Sequence, residues 1–175
     1  SFKTYEVEIV LGIETDTLDS SGQVVAEHQM LVEATQVTEA ARVLTGEIEQ
    51  IPPMVSARRV GGRRLHELAR EGKEVEREAR SVTIRKFDIQ ATADPLIWRA
   101  VIDCSAGTYI RTLGADLGTA LQGGAHIRNL RRIQSGVFGI QESDAILEAP
   151  LQPVLELVRG LDRMVLTDQE VAVVQ

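Results

Sequence analysis

The stretch IWRAVIDCSAGTYIRTLGADLGTAL (97–121) carries a strand signal followed directly by a helix signal. Apolar side chains occupy every second position from Trp98 to Cys104, a period of two that is typical of a half-buried strand. Gly107 and Thr108 break that strand, and Thr108 is placed to cap a helix. Helical spacing then relates Ile110, Leu113, Leu117 and Leu121. The stretch therefore predicts a strand–turn–helix unit.

Other segments add strands and a second helix. Apolar residues alternate with glutamates over residues 5–11, which predicts an antiparallel strand. Residues 82–89 predict another strand, and LRRIQSGVFGI (130–140) predicts an edge-like one. A short helix begins at Thr35 or Thr38, either of which can cap it. The sequence thus predicts an α/β (α+β) fold with a mixed, mostly antiparallel sheet flanked by helices.

Length and composition indicate one globular domain. A chain of 175 residues can bury its own core, and 43% apolar with 26% charged residues is ordinary for a soluble protein. No stretch approaches the roughly 20 apolar residues that span a bilayer, and the N-terminus carries no signal-peptide pattern. The single Cys104 excludes an internal disulfide and favours a cytoplasmic location. Three scattered histidines (His28, His66 and His126) argue against a structural zinc site.

Charge is distributed unevenly along the chain. The formal net charge is −7, but residues 1–50 hold two Lys/Arg and ten Asp/Glu, a net of −8. Residues 51–100 hold eleven Lys/Arg and seven Asp/Glu, a net of +4. A local basic region is where a polyanion such as RNA can bind, although the same charges also serve simple solubility. Charge alone leaves both interpretations open.

Residues 53–80 differ in character from the rest of the predicted domain, residues 1–150. Pro52 and Pro53 interrupt the chain, and the charge-dense segment that follows has only a narrow apolar stripe. We therefore expect an excursion that a partner holds in place. Residues 151–175 predict the start of a helical C-terminal region, because Thr167 and Glu170 have capping-box spacing. Both ends of the sequence look cut.

Four segments in order resemble the TruB family of pseudouridine synthases. They are KTYEVEIVLGIETDTLDSSGQVV (3–25), GEIEQIPPMVSARRVGGRRLHELAREGKEVEREARSVTI (46–84), CSAGTYIRTLGADLG (104–118) and GGAHIRNLRRIQSGVF (123–138). The resemblance implies half of a pseudouridine synthase catalytic domain, acting as a monomer on the T stem-loop of tRNA. Such enzymes isomerise uridine to pseudouridine in the TΨC loop without cofactor or metal, after flipping the base out of its stack.

The resemblance also assigns roles to single residues. It implies that Arg111 holds a catalytic aspartate, for which the guanidinium fork is suited. Tyr5 is similar to the tyrosine that stacks on the target uracil, and Leu130 to a leucine beside the base. Taken alone, these residues read as a solvated helix arginine, a core tyrosine and a core leucine. Asp16 matches an acidic position near the active site, and capping a turn is an equal alternative.

The family's nucleophilic aspartate is expected outside these 175 residues. The segment TLDSSG (17–22) superficially resembles the nucleophile motif G-x-L-D-P-x-A-T-G, but it lacks the glycine, the proline and the Ala-Thr-Gly ending. It also follows Tyr5, whereas the nucleophile precedes that tyrosine, so Asp19 is not assigned as the nucleophile. We therefore expect Arg111 to take its carboxylate partner from a preceding segment, and the chain alone to be inactive. The strand over residues 5–11 is expected to lack neighbours, which predicts poor stability.

A set of mostly basic residues is the predicted RNA-binding surface. It comprises Arg58, Arg59, Arg63, Arg64, His66, Tyr109, Arg131 and Arg132. The first five belong to the excursion, which resembles the family's RNA-gripping thumb; Val55 and His66 stand where the family usually has aromatic residues. Arg128 joins Arg131 and Arg132 in a second basic cluster, for which a solvated edge strand is the alternative.

Two other functions stay open at the level of sequence. One is a tRNA-binding or RNA-folding module without catalysis, and the other is one half of a split enzyme whose aspartate arrives on another polypeptide. The sequence upstream of Ser1 discriminates a truncated enzyme, which continues there into the nucleophile motif, from the binding module. Co-purification with a small partner that carries the motif would support the split enzyme.

Overall fold

Among the described residues, a six-stranded sheet with two helices on one face forms the body of the structure. The computed structural model describes residues 1–53, 59–60, 63–64, 77–143, 153, 156 and 158–161. The elements are β1 (Lys3–Leu11), β2 (Ile13–Thr15), β3 (Val24–Glu27), α1 (Ala34–Val43), β4 (Gly46–Gln50), β5 (Arg59–Val60), β6 (Arg63–Arg64), β7 (Arg80–Ala91), β8 (Ile97–Cys104), α2 (Ile110–Ala120), β9 (Ala125–Ser135), β10 (Phe138–Gly139) and a 3-10 turn (Ile140–Glu142). This architecture confirms the predicted α+β class.

The sheet order is β10-β9-β1-β8-β7-β4, and neighbouring strands pair antiparallel. β1 lies inside the sheet: Ile9 is opposite Trp98 of β8 on one side and Ile127 of β9 on the other. The expectation that β1 lacks neighbours is therefore wrong. Its apolar alternation indicated a buried face but carried no information on which later strands would satisfy its two hydrogen-bonding edges.

The core lies between the sheet and the two helices. Alternate residues of β1, β7 and β8 point to this face, including Val7, Ile84 and Ile102, all at most 2% exposed. α1 contributes Val37, Ala40 and Ala41. α2 contributes a larger set, namely Ile110, Thr112, Leu113, Gly114, Leu117 and Gly118. A half-buried sheet face covered by amphipathic helices is the arrangement that the two periodicities predicted.

The helix boundaries differ slightly from those predicted. α1 begins at Ala34 rather than at a threonine, because the side chain of Gln36 accepts the backbone N–H of the N-cap residue Glu33 at 2.8 Å. α2 has Tyr109 as its N-cap, one residue after the expected Thr108. The predicted edge-like strand begins earlier, at Ala125. β9 pairs with β1 along one side, and on its other side β10 pairs only with Gln134 and Ser135.

Two glycines bring α2 into close contact with β9. A Cβ added to Gly114 would overlap Cγ2 of Ile127, and one added to Gly118 would lie 2.5 Å from the backbone nitrogen of Ala125. Gly118 thus faces Ala125, and Gly114 faces Ile127, so that helix and strand run in opposite directions. Side chains at these positions would push the helix off the sheet.

Little of the predicted excursion and of the C-terminal region falls within the described residues. β5 and β6 pair as a small antiparallel hairpin, with Arg59 opposite Arg64. The predicted apolar stripe near residues 65–69 and the capping-box spacing of Thr167 and Glu170 lie outside the described residues.

Candidate active site

A loop between β2 and β3 docks on β9 and forms one wall of the site. The N–H of Ser20 donates to the carbonyl of Ile127 at 2.9 Å, and the N–H of Ile127 donates to the carbonyl of Leu18 at 3.1 Å. Leu18 adopts a left-handed conformation with φ of 63°. This strained residue turns the chain so that Asp19 lies beside Ile127, near the start of β9.

The carboxylate of Asp19 is held by its own loop. Its Oδ1 accepts the hydroxyl of Thr17 at 2.8 Å and the backbone N–H of Ser21 at 3.0 Å. Burial by itself would raise the pKa of Asp19, but the hydrogen bonds from Ser21 and Thr17, aided by the charge of Arg111, lower it below its usual value. Asp19 is therefore ionised at neutral pH.

Arg111 reaches this carboxylate from the first turn of α2. Its Nη1 lies 3.2 Å from Oδ2 of Asp19 and donates to the carbonyl of Thr17 at 3.0 Å. The side chains of Arg111 and Asp19 are 21% and 25% exposed, so the pair is largely withdrawn from water. The expectation that Arg111 finds no carboxylate within this chain is wrong, because loop residues 16–22 fold back onto β9.

Asp16 plays a different part in the same loop. Its Oδ1 accepts the backbone N–H of Gln23 at 2.9 Å, and its own N–H donates to the carbonyl of Gln23 at 3.1 Å. Asp16 therefore closes the base of the loop that presents Asp19. A role for Asp16 near the chemistry stays a prediction.

Tyr5 and Arg132 are cross-strand neighbours on β1 and β9. Between Arg128 and Arg131 the register of β9 shifts against β1, and Asn129 is left-handed there, with φ of 54°. Leu130 follows in this bulge and is 46% exposed. An exposed leucine beside a bulge is available to a ligand, whereas a core leucine is not. The alternative of a plain core residue therefore does not hold for Leu130.

The packing of α2 on β9 brings Arg111 toward the bulge. Gly114 faces Ile127, and Arg111 lies three helical residues earlier, about 4.5 Å along the axis. Because helix and strand are antiparallel, moving from Gly114 to Arg111 on the helix corresponds to moving from Ile127 toward Leu130 on the strand. Each strand residue advances about 3.3 Å. Arg111 and Asp19 thus lie beside the first half of β9, on the way to the bulge that holds Leu130, and Tyr5 lies further along the same strand pair.

One member of the second basic cluster is engaged in an ion pair on the opposite sheet face. Arg128 donates through Nε to Oε2 of Glu8 at 2.7 Å, and Nδ2 of Asn129 donates to the same oxygen at 3.0 Å. The hydrogen bond from Arg128 lowers the pKa of Glu8, against the opposing effect of burial. Arg128 thus anchors the bulge, while Arg131 and Arg132 are exposed to solvent.

The other predicted RNA-binding residues are only partly covered. Arg58 and His66 lie outside the described residues, and the side chains of Arg59, Arg63 and Arg64 are also outside them. Tyr109 is the half-buried N-cap residue of α2. The contribution of these residues to RNA binding stays a prediction.

Asp19 is the site residue that sequence reasoning missed. A local signal existed, because Asp19 and Ser21 have the spacing of a turn in which an aspartate accepts the N–H two residues on. That signal predicts a bent loop but not a partner 92 positions away.

Within the described parts of the chain, no group of three or more His, Cys, Asp or Glu could hold a metal ion. The helices described there are all too short or too polar to cross a membrane.

Solved structures share this fold. A crystal structure of a Cbf5–Nop10–Gar1 complex matches with a TM-score of 0.56 and 24% identity, covering 80% of this chain and 32% of that one. A structure of an H/ACA RNP bound to a substrate RNA containing 2'-deoxyuridine matches with a TM-score of 0.52 and 21% identity, covering 80% and 30%. At this level of identity the likeness concerns the fold.

The family follows from the sequence comparisons. Residues 1–110 match the family model described as TruB family pseudouridylate synthase (N terminal domain), and residues 111–167 match that of the tRNA pseudouridylate synthase B C-terminal domain. The chain belongs to the TruB family of pseudouridine synthases.

Individual relatives agree with the family match. The tRNA pseudouridine synthase B of Moorella thermoacetica is 50% identical over 145 residues, covering 81% of this chain and 48% of the relative. That of Aromatoleum aromaticum is 43% identical over 166 residues, covering 93% and 54%. The chain thus spans about half the length of the curated relatives that it matches.

Proposed function

We propose that this chain is the uridine-binding half of a tRNA pseudouridine synthase, which isomerises uridine to pseudouridine in the TΨC loop. The observation that carries the proposal is the largely buried Arg111–Asp19 pair, docked against the strand that also carries the exposed Leu130. A permanently charged guanidinium in a partly dehydrated cleft is suited to holding a second, catalytic carboxylate ionised and correctly aimed.

Asp19 serves in this proposal as the residue that positions Arg111. Its Oδ1 is committed to Thr17 and Ser21, and its Oδ2 faces Arg111. Such heavy hydrogen bonding lowers the nucleophilicity of a carboxylate, because attack would require those bonds to break. We therefore place the nucleophilic aspartate on a segment outside these 175 residues, in line with the motif and chain order discussed above.

The RNA would approach along β1 and β9. Arg132 is exposed there as the cross-strand neighbour of Tyr5, whose ring would stack on the flipped uracil, and Arg131 is exposed on the face that carries Glu6. Leu130 would pack against the other side of the base. The T stem-loop of tRNA is the proposed partner, bound by one copy of the chain.

RNA binding tests the first half of the proposal. The affinity of the chain for a labelled T-arm stem-loop is measured by fluorescence anisotropy over a range of salt concentrations, beside a stem-loop with a scrambled loop. Replacing Arg131 and Arg132 by glutamine is expected to reduce the slope of log K against log salt by roughly 1.5–2, because two phosphate contacts are lost. Arg42→Gln, on the solvent face of α1, is the control and should leave the slope unchanged. Equal affinity for both loops would contradict a tRNA substrate and favour a non-catalytic RNA-binding module.

Turnover tests the second half. The chain is incubated with T-arm RNA, and pseudouridine is measured by mass spectrometry of the digested RNA. We expect no conversion by the chain alone and conversion once a polypeptide carrying the family's nucleophile motif is added. Arg111→Lys keeps the charge but loses the planar fork, and it should abolish the restored conversion. Clear turnover by the chain alone would contradict the placement of the nucleophile outside it.

A further inference from the structure

Gln50, the last residue of β4, is buried beneath the N-terminus of α2. Only 2% of its surface is exposed, and both ends of its side-chain amide bond to the backbone of one residue, Tyr109. Its Oε1 accepts the Tyr109 N–H at 3.0 Å, and its Nε2 donates to the Tyr109 carbonyl at 3.3 Å. The two residues are 59 positions apart in sequence.

This contact replaces a local helix cap. Tyr109 is the N-cap residue of α2 and makes no side-chain cap hydrogen bond, and its carbonyl accepts the first helical bond from Leu113 at 3.0 Å. In a capping box, a glutamine three residues into the helix bonds the N-cap N–H. Here the glutamine comes from a neighbouring strand. Because both of its polar groups are buried, losing Tyr109 as partner would leave them unpaired.

The turn that leads into α2 is fixed at both ends by the sheet. At its start, the Ser105 hydroxyl accepts the backbone N–H of Thr83 on β7 at 2.9 Å. At its end stands the Gln50–Tyr109 contact, and Arg111 follows two residues later. The contacts of this turn with β4 and β7 at the edge of the sheet therefore determine the position of the Arg111 guanidinium relative to Asp19.

That edge is also where residues 53–80 leave and rejoin the sheet. Gln50 is paired with Arg80 across β4 and β7, and Nη1 of Arg77 donates to the carbonyl of Pro52 at 2.9 Å. Pro52, Arg77 and Arg80 form the neck of the segment that resembles an RNA-gripping thumb. Gln50 connects this neck to α2, the helix that carries Arg111.

We propose that Gln50 is a positioning residue. It fixes the first turn of α2 to the neck of residues 53–80, and so determines where Arg111 meets Asp19. The consequence for uridine rests on the proposed function: RNA held by that segment is brought to a fixed place relative to Arg111. The structural part stands independently and is measured without RNA.

Nuclear magnetic resonance of the labelled chain tests the proposal. Gln50→Met keeps the length and removes both hydrogen bonds. We expect exchange of the Tyr109 amide to accelerate about tenfold, the effect of one lost hydrogen bond, while the Leu117 amide in the middle of α2 keeps its protection. The ¹⁵Nε resonance of Arg111 should move toward that of free arginine. If that resonance is unchanged while Tyr109 is deprotected, the proposal is wrong.

Gln36→Met is the matched control. Gln36 makes the equivalent bond to the N-cap N–H of α1, on the surface and away from the site. Its replacement should accelerate exchange at Glu33 and leave Arg111 unaffected. A shift of Arg111 of equal size in this variant would show a general loss of order and overturn the assignment to Gln50.

A second variant keeps the test decisive if Gln50→Met does not fold. Gln50→Glu retains the acceptor for the Tyr109 N–H, but an ionised carboxylate repels the Tyr109 carbonyl, whereas a protonated one can donate to it. The Arg111 resonance should therefore return to its wild-type position as the pH falls from about 8 to about 5, since burial raises a carboxyl pKa. An Arg111 resonance equal to wild type at both pH values would overturn the proposal. T-arm RNA that fails to bind would contradict the proposed function and leave these spectra valid.

Discussion

α1 and α2 cover the same face of the sheet and differ by only one residue in length, yet they are held in contrasting ways. The N-cap amide of α1 is satisfied by Gln36, three residues away, and its Arg42 pairs with Glu39 one turn earlier. The N-cap amide of α2 is satisfied by Gln50, 59 residues away. A helix stabilised by its own residues can form before the rest of the fold and can move slightly relative to it. A helix whose N-terminus is bonded to a distant residue is fixed in position by the fold.

The ion pairs of the two helices differ in the same way, because one is local and the other joins distant residues. Arg42 and Glu39 are 72% and 59% exposed, so their attraction is largely screened by water. Arg111 and Asp19 are withdrawn and supported by the backbone of a docked loop. The site thus stands on the helix whose position is set by the whole fold, which is what a precise arrangement of charged groups needs.

The largest expected effect comes from breaking the close contact of α2 with the sheet. Gly118→Ala would normally favour a helix, but here the new Cβ meets the backbone of Ala125. We expect the free energy of unfolding to fall by about 3 kcal/mol, measured by urea denaturation. Thr119→Ala, at the exposed neighbouring position, is the control and should change stability by no more than about 0.5 kcal/mol. A stabilised Gly118→Ala variant would contradict the tight contact.

An intermediate effect is expected at the charged pair of α2. Asp19→Asn removes the charge, and at neutral pH we expect a loss of about 1–2 kcal/mol. Because the folded-state pKa of Asp19 is lowered, its stabilisation is fully present above the unfolded pKa of about 3.9 and disappears as pH falls through the lower folded pKa. Urea denaturation at about pH 7 and about pH 2.5 should show the difference between wild type and variant shrinking. A difference that is the same at both pH values would mean that the charge is not responsible.

The smallest effect is expected on α1. Arg42→Ala removes an exposed pair within one turn, and because water screens this pair we expect only a slight loss of stability at low salt. Thermal unfolding in dilute buffer and in about 1 M NaCl should show this small loss vanish as salt screens the pair. The Arg42→Ala/Glu39→Ala double-mutant cycle isolates the pair energy, and a coupling as large as the effect of Asp19→Asn would erase the contrast between the two helices.

Local patterns predicted most of the elements. Alternation over residues 5–11 and 98–104 and helical spacing from Ile110 predicted β1, β8 and α2, because burial of one face imposes a period of 2 or 3.6. The same spacing placed Arg111 at the start of a helix, where the structure has it. These predictions rest on residues that are near one another in sequence.

What the sequence did not predict joins residues that are far apart. The two neighbours of β1 lie about 90 and 120 positions later, and no alternation specifies which edges will meet. The pairing of Asp19 with Arg111 and the burial of Gln50 have the same origin. From sequence alone a polar side chain is predicted to be solvent-exposed, because its distant hydrogen-bonding partner is identified only in the folded structure.

The placement of β1 in the middle of the sheet has a consequence for the order in which the chain assembles. β7 and β8 are separated by a short connection and can pair as a hairpin as soon as both exist. β1 must wait for β8 and β9, and closing such long loops slows folding. During synthesis the Asp19 loop leaves the ribosome long before the strand on which it docks. The Asp19–Arg111 pair is therefore expected to form at the last step. A formed pair thus indicates that the rest of the sheet is complete.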